Sequence, residues 1–454
     1  MYNKIVILII ILIGFSAFAQ VEIPSVNDSS KTQIPEDNTW SLKECLAYAK
    51  ENSLTVLDAE LDESSAQVNY KQSKQQRLPS LTGSLSESFN NGYSIDPITS
   101  DYVNQQIYST STALSTSVTL YQGSQLNNQI KQNKLLLDQN SLFVQEAKNN
   151  ITLSITEAYL NALYYKEAIL TAQNTLDGSA KEVEVAKARY EAGSIAKKDY
   201  SDVLSQQASN KYNLIIAQNN YDSQLLTLKQ LLEIDGTMPF EIEEINAEDE
   251  INYAVFETEE QIYNNALENL PSIKAQQLDV EISEKDIDIA KGGFLPTLSF
   301  SGSLGSGYTS TQDLTFSDQF DLNFNQRVGL SLSIPIFSKG QNKAEVQNAK
   351  INVEKSKIAL RTVEKELYQK VDNAWRNSVS AQEQLSAAKV ARDASYHAYQ
   401  LAQKQYDVGA INTTDLMLSQ NTYTNAQQTY TQAKYLSILY KQLLEFYQGN
   451  EINL

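Results

Sequence analysis

The sequence predicts a mainly α protein formed by internal tandem duplication. Long antiparallel helices are interrupted by two β-hairpins that supply four strands per chain to a membrane β-barrel. Three observations lead there. Helix breakers are scarce and confined to a few places, landmarks recur at one fixed offset, and the segments beside the breakers alternate with period two.

Across 454 residues there are 8 Pro and 16 Gly, well below typical usage of about 5% and 7%. The prolines stand at 24, 35, 79, 97, 239, 271, 296 and 335, which leaves 98–238 and 336–454 without one. Only Gly178 and Gly193 lie between Gly123 and Gly236, and only Gly409 between Gly340 and Gly449. A compact globule turns roughly every ten to twenty residues. Tracts of this length without breakers read as very long helices.

The landmarks repeat. Leu78-Pro79-Ser80-Leu81 recurs as Leu295-Pro296-Thr297-Leu298, a shift of 217, and Tyr121-Gln122-Gly123 recurs with one insertion as Phe337-Ser338-Lys339-Gly340. Arg189-Tyr190-Glu191-Ala192-Gly193-Ser194-Ile195 recurs as Gln405-Tyr406-Asp407-Val408-Gly409-Ala410-Ile411, a shift of 216 that Asp199 and Asp415 share. Separate landmarks at one offset indicate two copies of one internal plan.

The elements follow in order. Residues 1–19 carry Lys4, an apolar run from Ile5 to Phe15 and Ala17-Phe18-Ala19, the pattern of a secretory signal peptide. Residues 20–39 are expected to be a flexible leader. The first repeat, 40–235, opens with helical spacing from Trp40 to Arg77, which Leu78-Pro79 stops. Its β-hairpin, 79–121, alternates Leu81, Gly83, Leu85 and Phe89 with Ser80, Thr82, Ser84, Ser86 and Ser88, and then Leu114, Val118 and Leu120 with Ser115, Ser117 and Thr119. In the second repeat, 261–450, the hairpin 296–337 alternates Leu298, Phe300, Gly302 and Leu304 with serines, and Val328, Leu330, Leu332, Ile334 and Ile336 with Gly329, Ser331 and Ser333. Period two over about ten residues is a half-buried strand. A strand pair on a soluble core is one reading. A membrane barrel is favoured by the strand length, by the uncharged Ser/Thr/Gly face suited to a water-filled lumen, and by aromatics at the strand ends (Phe89, Tyr93, Tyr121, Phe294, Tyr308, Phe337). Residues 90–112 and 305–326, rich in Asn, Ser, Asp and Tyr, are expected as loops.

After each hairpin comes a breaker-poor tract. Ser124 to Ala192 is about 69 residues, a helix of roughly 100 Å, and Gln341 to Val408 matches it. Val144, Ile151, Ile155, Ala158 and Ala162 in one, and Val353, Leu360, Leu367, Val371 and Ala374 in the other, form stripes for packing on neighbouring helices. A plain coiled coil would have no use for the hairpins. Gly193 and Gly409 are expected to end these helices, with return helices over about 197–233 and 413–448. Between the repeats, 236–260 is acidic: no Lys or Arg occurs from Gly236 to Ile273, against Glu241, Glu243, Glu244, Glu248, Asp249, Glu250, Glu257, Glu259 and Glu260. It reads as a solvated surface or as a binding site.

Composition closes other classes. One His (His397) and one Cys (Cys45) leave no Cys/His metal cluster, disulfide framework or choice of catalytic base, so an enzyme is not expected and no metal or other cofactor is called for. A net charge of −19 opposes a nucleic-acid partner. A mean hydropathy of −0.39 excludes a polytopic helical membrane protein but not a β-barrel.

These residues carry a family resemblance. The chain from about 40 to 450 resembles the TolC family of trimeric outer-membrane efflux and export channels. The matching residues are Leu42-Lys43-Glu44-Cys45-Leu46-Ala47-Tyr48-Ala49 and Ala266-Leu267-Glu268-Asn269-Leu270-Pro271, the pairs Leu78-Pro79 and Leu295-Pro296, and Tyr190-x-x-Gly193 and Tyr406-x-x-Gly409, each with an Asp six residues after its Gly. Four strands do not close a barrel, so an oligomer is required; the resemblance implies a homotrimer, a 12-stranded barrel with a lumen. It further implies a Gram-negative outer-membrane location, with helices continuing into the periplasm as an α-helical barrel and with 236–260 in a mixed equatorial region. Pro79 and Pro296 would mark entry to the barrel, and Gly123 and Gly340 exit from it.

By the same resemblance the protein is a passive exit duct of a tripartite efflux or type I secretion system. Its partners are a periplasmic adaptor, an inner-membrane pump of RND or ABC type, and outer-membrane lipid. Tyr190, Gly193 and Ser194, with Tyr406, Gly409 and Ala410, would form adaptor-docking tips. Asp415 matches the first acidic residue of the family's constriction, while Leu418 stands at the second. Asp199 matches an acidic latch residue, and Ile411 replaces the family's latch Arg, so the closed state is expected to use other bonds, through Lys197 or Lys198. Helix capping is the structural alternative for both Asp residues. At the level of function, the alternative is a structural or adhesive envelope protein using the helices as a spacer.

Overall fold

The computed structural model describes residues 35, 38–95, 100–245 and 258–452. The expected signal peptide, most of the leader and residues 246–257 of the acidic segment lie outside the described residues. Two compact units are formed. One takes residues up to Ser64, Ala147–Thr258 and Asn373 onward; the other takes Ser65–Glu146 and Glu259–Asp372.

The elements of the first copy are β1 (Thr39–Trp40), α1 (Leu42–Asn52), α2 (Leu54–Gln75), β2 (Ser80–Ile95), β3 (Tyr102–Gln122), α3 (Gln125–Glu191) and α4 (Lys197–Leu231). After β4 (Glu241–Ile242) the second copy has α5 (Glu259–Asn269), α6 (Pro271–Gly292), β5 (Thr297–Thr309), α7 (Phe316–Leu322), β6 (Asn325–Ser333), α8 (Gln341–Asp407) and α9 (Thr413–Gln448).

The expected helix from Trp40 to Arg77 is corrected. Trp40 is in a strand, and the helix is broken at Ser53, which takes an extended conformation (ψ 129°) as the C-cap of α1. Its hydroxyl bonds Thr55 Oγ1 at 2.9 Å, and its carbonyl accepts from the Leu57 N–H as α2 starts. One residue thus caps two helices. The N-terminus of α1 is closed by a capping box: the Ser41 hydroxyl accepts from Glu44 N–H, and the Glu44 carboxylate accepts from Ser41 N–H at 2.9 Å.

In the first unit, β1 and β4 pair in parallel, Trp40 opposite Ile242. They sit on a core of Trp40, Cys45, Ile155, Tyr159, Leu228 and Ile438 among others. Trp40 stacks on Phe240 at 5.6 Å and meets Tyr48 edge-on at 5.2 Å. Thus part of the acidic 236–260 segment contributes buried apolar anchors. The Cys45 thiol is fully buried, and burial pushes it up to about 12, which marks it as a packing residue and not a reactive one. Tyr159, also fully buried, shares its proton between the Trp40 carbonyl at 3.0 Å and the Glu243 carbonyl at 2.8 Å, tying α3 to β1 and to the residue after β4. Tyr159→Phe is expected to destabilise the protein by about 1–2 kcal/mol, because the buried Trp40 carbonyl and the part-buried Glu243 carbonyl lose a donor. Denaturant unfolding of the purified protein measures it, and an unchanged midpoint would show the hydroxyl to be dispensable.

The second unit holds an antiparallel sheet in the order β2-β3-β5-β6, with β2 and β6 as open edges. The expected loops are corrected here as well. Pairing in the first hairpin runs on from Ser80↔Ser117 to Ile95↔Tyr102, through most of residues 90–112. Hydroxyl pairs such as Ser86–Ser111 at 3.0 Å and Ser88–Ser109 at 2.7 Å bridge its strands. In the second hairpin, β5 continues to Thr309 and α7 occupies part of 305–326. The Gln319 side chain acts as a short strand substitute. Its Oε1 accepts from Thr309 N–H at 2.9 Å and its Nε2 donates to Thr309 O at 3.0 Å. β6 stops at Ser333, short of Ile336, because Pro335 offers no ladder donor.

The register sorts the side chains into two faces. Leu81, Thr116, Gly302 and Val328 share one row, and Val118, Phe300 and Leu330 another. This apolar face is largely uncovered, with Leu85 74% exposed and Val328 75%, although α7 packs on Ser306 and Tyr308 at the end of β5. The opposite face is mainly Ser, Thr, Gly and Asn, as in the row Ser80, Ser117, Ser301 and Gly329, and also carries Ile107, Ala113 and Arg327.

The chain enters the sheet through Pro79 and Pro296, one residue before β2 and β5. It leaves β3 through Gly123, at φ +55°, against the end of α6, where the Gly292 carbonyl fills the space a Cβ would need. Gly340, at φ +83° directly before α8, faces open space.

Candidate functional site at the helical hairpin tips

Two helix turns carry the expected tip residues, and they have the same internal bonding. In the first, Ser194 N–H reaches back to Arg189 O at 2.8 Å and Gly193 N–H to Tyr190 O at 2.9 Å. In the second, Ala410 N–H bonds Gln405 O at 2.8 Å and Gly409 N–H bonds Tyr406 O at 3.0 Å. This pair of bonds is the Schellman ending, which needs a left-handed residue at the C′ position. Gly193 and Gly409 supply it, both at φ +75°. The Ser194 hydroxyl also caps Arg189 O at 2.9 Å.

Each expected acidic residue lies in the first turn of a return helix. Asp199 Oδ2 accepts from Ala196 N–H at 3.4 Å, and Asp415 N–H donates to the Asn412 side chain at 2.9 Å. The Asp415 carboxylate and Leu418 are exposed. Lys198 pairs with Asp202 at 2.7 Å within α4. Ile411 turns inward onto a small core of Ala402, Tyr406 and Leu416.

Arg189 and Glu182, first-hairpin residues that reach the second, are not among those sequence reasoning singled out as a site, although Arg189's partner Tyr406 is. Arg189 donates to the Asp407 carbonyl at 2.9 Å, and its guanidinium lies 4.6 Å over the Tyr406 ring. Tyr406 is buried beneath it, whereas Tyr190 is exposed and stacks on Tyr200 at 5.6 Å. Further along α3, Glu182 is only 7% exposed. Its Oε1 accepts from Tyr399 Oη of α8 at 3.3 Å and from Gln420 Nε2 of α9 at 3.4 Å. Burial pushes the Glu182 carboxyl up to about 7; the Tyr399 hydrogen bond opposes that and the charge of Asp407 adds to it. A second polar tie joins Lys434 and Thr431 of α9 to Glu167 of α3. The sequence signal for Glu182 is its spacing: with Ser179 and Ala186 it lies on the buried stripe of α3. An acidic residue on such a stripe is a candidate contact.

One unit thus carries paired helical hairpins with matched turns, and the other a sheet with an apolar face and a hydroxyl-rich one. The chain belongs to the outer membrane efflux protein family, whose model matches residues 46–233 and 262–444. That is a family of channel proteins and not of enzymes, and its place is the outer membrane of Gram-negative bacteria. The chain is 25% identical over 303 residues to the outer membrane protein TolC of Escherichia coli, across 64% of this chain and 59% of that protein. It is 24% identical over 305 residues to the alkaline protease secretion protein AprF of Pseudomonas aeruginosa, across 66% of this chain and 61% of that one. The matches therefore span about three fifths of those relatives' length. Among solved structures, CusC superposes with a TM-score of 0.78 at 17% identity, covering 94% of this chain and 96% of that one. The Campylobacter jejuni CmeC outer membrane channel gives 0.77 at 16%, covering 96% and 95%. Similarity at that level of identity speaks to the fold.

Proposed function

We propose that this chain is one protomer of a trimeric outer-membrane duct, the passive exit of an efflux or type I secretion system. The two-faced sheet carries this reading. Its apolar face, open to the surroundings, suits lipid, and its Ser/Thr/Gly face suits a water-filled lumen. Its two unpaired edges call for further copies, and twelve strands from three chains leave an open interior. In this reading 1–19 is a removed signal peptide, the repeats 40–235 and 261–450 each supply a barrel hairpin and a periplasmic helical hairpin, and 236–260 belongs to the equatorial region.

The tips would meet a periplasmic adaptor coupled to an inner-membrane pump of RND or ABC type. Tyr190, Gly193 and Ser194 of the first turn, and Gly409 and Ala410 of the second, are exposed and available for that contact. Tyr406 would support its turn from beneath. The relatives' names, alkaline protease secretion and pyoverdine export, name different cargoes for proteins of one family, which supports a reading in which the partners select the cargo.

Reconstitution into a planar bilayer tests the duct. Ion conductance is expected once the tip is opened; its absence would favour the spacer role. A threefold ring of Asp415 carboxylates would also bind divalent cations at the constriction. Asp415→Ala is expected to weaken divalent block of the conductance by about tenfold, as loss of a charged contact implies. An unchanged block would remove Asp415 from the constriction and leave it as a first-turn residue.

A further inference from the structure

The four strands of the sheet contain only two charged residues, Glu87 in β2 and Arg327 in β6. The register separates them. Glu87 shares its row with Thr110 and Tyr308, on the face that carries Leu85 and Phe89. Arg327 shares its row with Ser303, Ser115 and Thr82, on the hydroxyl face. No carboxylate of the four strands therefore lies on the same face as this guanidinium, and Arg327 is exposed. The next row contributes Ser117 and Ser301, and hydroxyls of both rows line a shallow recess with Arg327.

We propose that Arg327 and the hydroxyls beside it form an oxyanion-binding step on the transport path. The proposal rests on the duct reading, in which this face is turned to the lumen. A guanidinium presents paired N–H donors that match a carboxylate or phosphate edge, and neighbouring Ser and Thr hydroxyls donate to the remaining oxygens. No other side chain on that face of the four strands carries a charge of either sign. Repetition by threefold symmetry sets three fixed positive charges around one axis, an arrangement that favours anions in a pore. The constriction proposed at Asp415 carries the opposite sign. The barrel and the tip would then filter different ions in series, although the chain as a whole is strongly acidic.

The test uses the full-length protein in planar bilayers, with inorganic phosphate as the probe. Phosphate is expected to reduce chloride-borne current through the wild-type channel. Arg327→Gln is expected to raise the half-blocking phosphate concentration by about tenfold or more, the loss of charge-assisted hydrogen bonds. It should also shift the reversal potential in a KCl gradient toward cation preference. Arg327→Lys keeps the charge without the fork, and is expected to hold the reversal potential near that of wild type while weakening the phosphate block. Wild-type current insensitive to phosphate, or block and reversal potential unchanged in Arg327→Gln, would overturn the proposal. A wild-type protein without any conductance would instead overturn the duct reading on which it rests.

Discussion

Alanine at Gly123 is expected to destabilise the protein by at least ~3 kcal/mol, while alanine at the corresponding Gly340 costs about 1 kcal/mol. Both glycines have positive φ, +55° and +83°, so the left-handed backbone penalty applies to both. They differ in their surroundings. A Cβ at Gly123 would lie 2.3 Å from the Gly292 carbonyl oxygen and 2.9 Å from Leu295 Cβ, whereas at Gly340 nothing lies within 4 Å. The crowding is mutual, since a Cβ at Gly292 would meet Gln125 Cγ at 2.4 Å and the Gly123 carbonyl at 2.7 Å. The obstructing atoms are largely backbone, so a side-chain rotation does not relieve them. Thermal midpoints of the two purified variants in detergent check this. Equal shifts would show that the end of α6 moves aside without cost.

Glu182 is expected to make the tip pH-sensitive. Its folded carboxyl titrates near 7, well above its ordinary value of 4.5. Below the ordinary value it is protonated in both folded and unfolded chains. Between that value and about 7 the folded form holds a proton that the unfolded form has released, so stability falls as pH rises. Above about 7 the full penalty stands, of order 3 kcal/mol for a carboxylate this deeply buried. The groups that face it are the Tyr399 phenol of α8 and the Gln420 amide of α9, with the Asp407 charge acting from the end of α8. No cation among these neighbours offsets the charge. Glu182→Gln keeps an amide of the same shape that accepts from the same donors. It is expected to slow amide hydrogen exchange over the tip helices strongly at pH 8 and much less at pH 5, near the foot of that window. If wild type and variant exchanged alike at both pH values, Glu182 would be ruled out as the sensitive group.

Much of the architecture is legible in the chain because its signals are local. A glycine six residues before an aspartate, flanked by long tracts without breakers, marks a turn, and the Schellman bonds at Gly193 and Gly409 realise it. Alternation of Leu with Ser marks strands, and the register places the two sets on opposite faces. The break at Ser53 escapes a reading of the first copy alone, since Ser is tolerated within helices. The duplication held the signal. Pro271, at N1 of α6, stands 217 residues after Leu54, which starts α2. The strand ends escape a local reading as well. Asn90, Asn91 and Gly92 look like a turn, yet partners Ile107, Gln106 and Gln105 hold them in the ladder.

What the sequence alone determined is the repeat, the alternation of long helices with two-faced strands, the turn glycines and the family. Each follows from residues close together in the chain or from one comparison at a constant offset. Only the tertiary structure decided which residues tie the hairpins together, with Glu182 meeting Tyr399 and Gln420, and Arg189 covering Tyr406. It likewise decided that Gly123 is crowded where Gly340 is free, and that Arg327 is separated from Glu87 by the sheet. These outcomes depend on which distant segments meet and on strand register, where a shift of one residue exchanges the two faces. A single chain read alone does not specify either one.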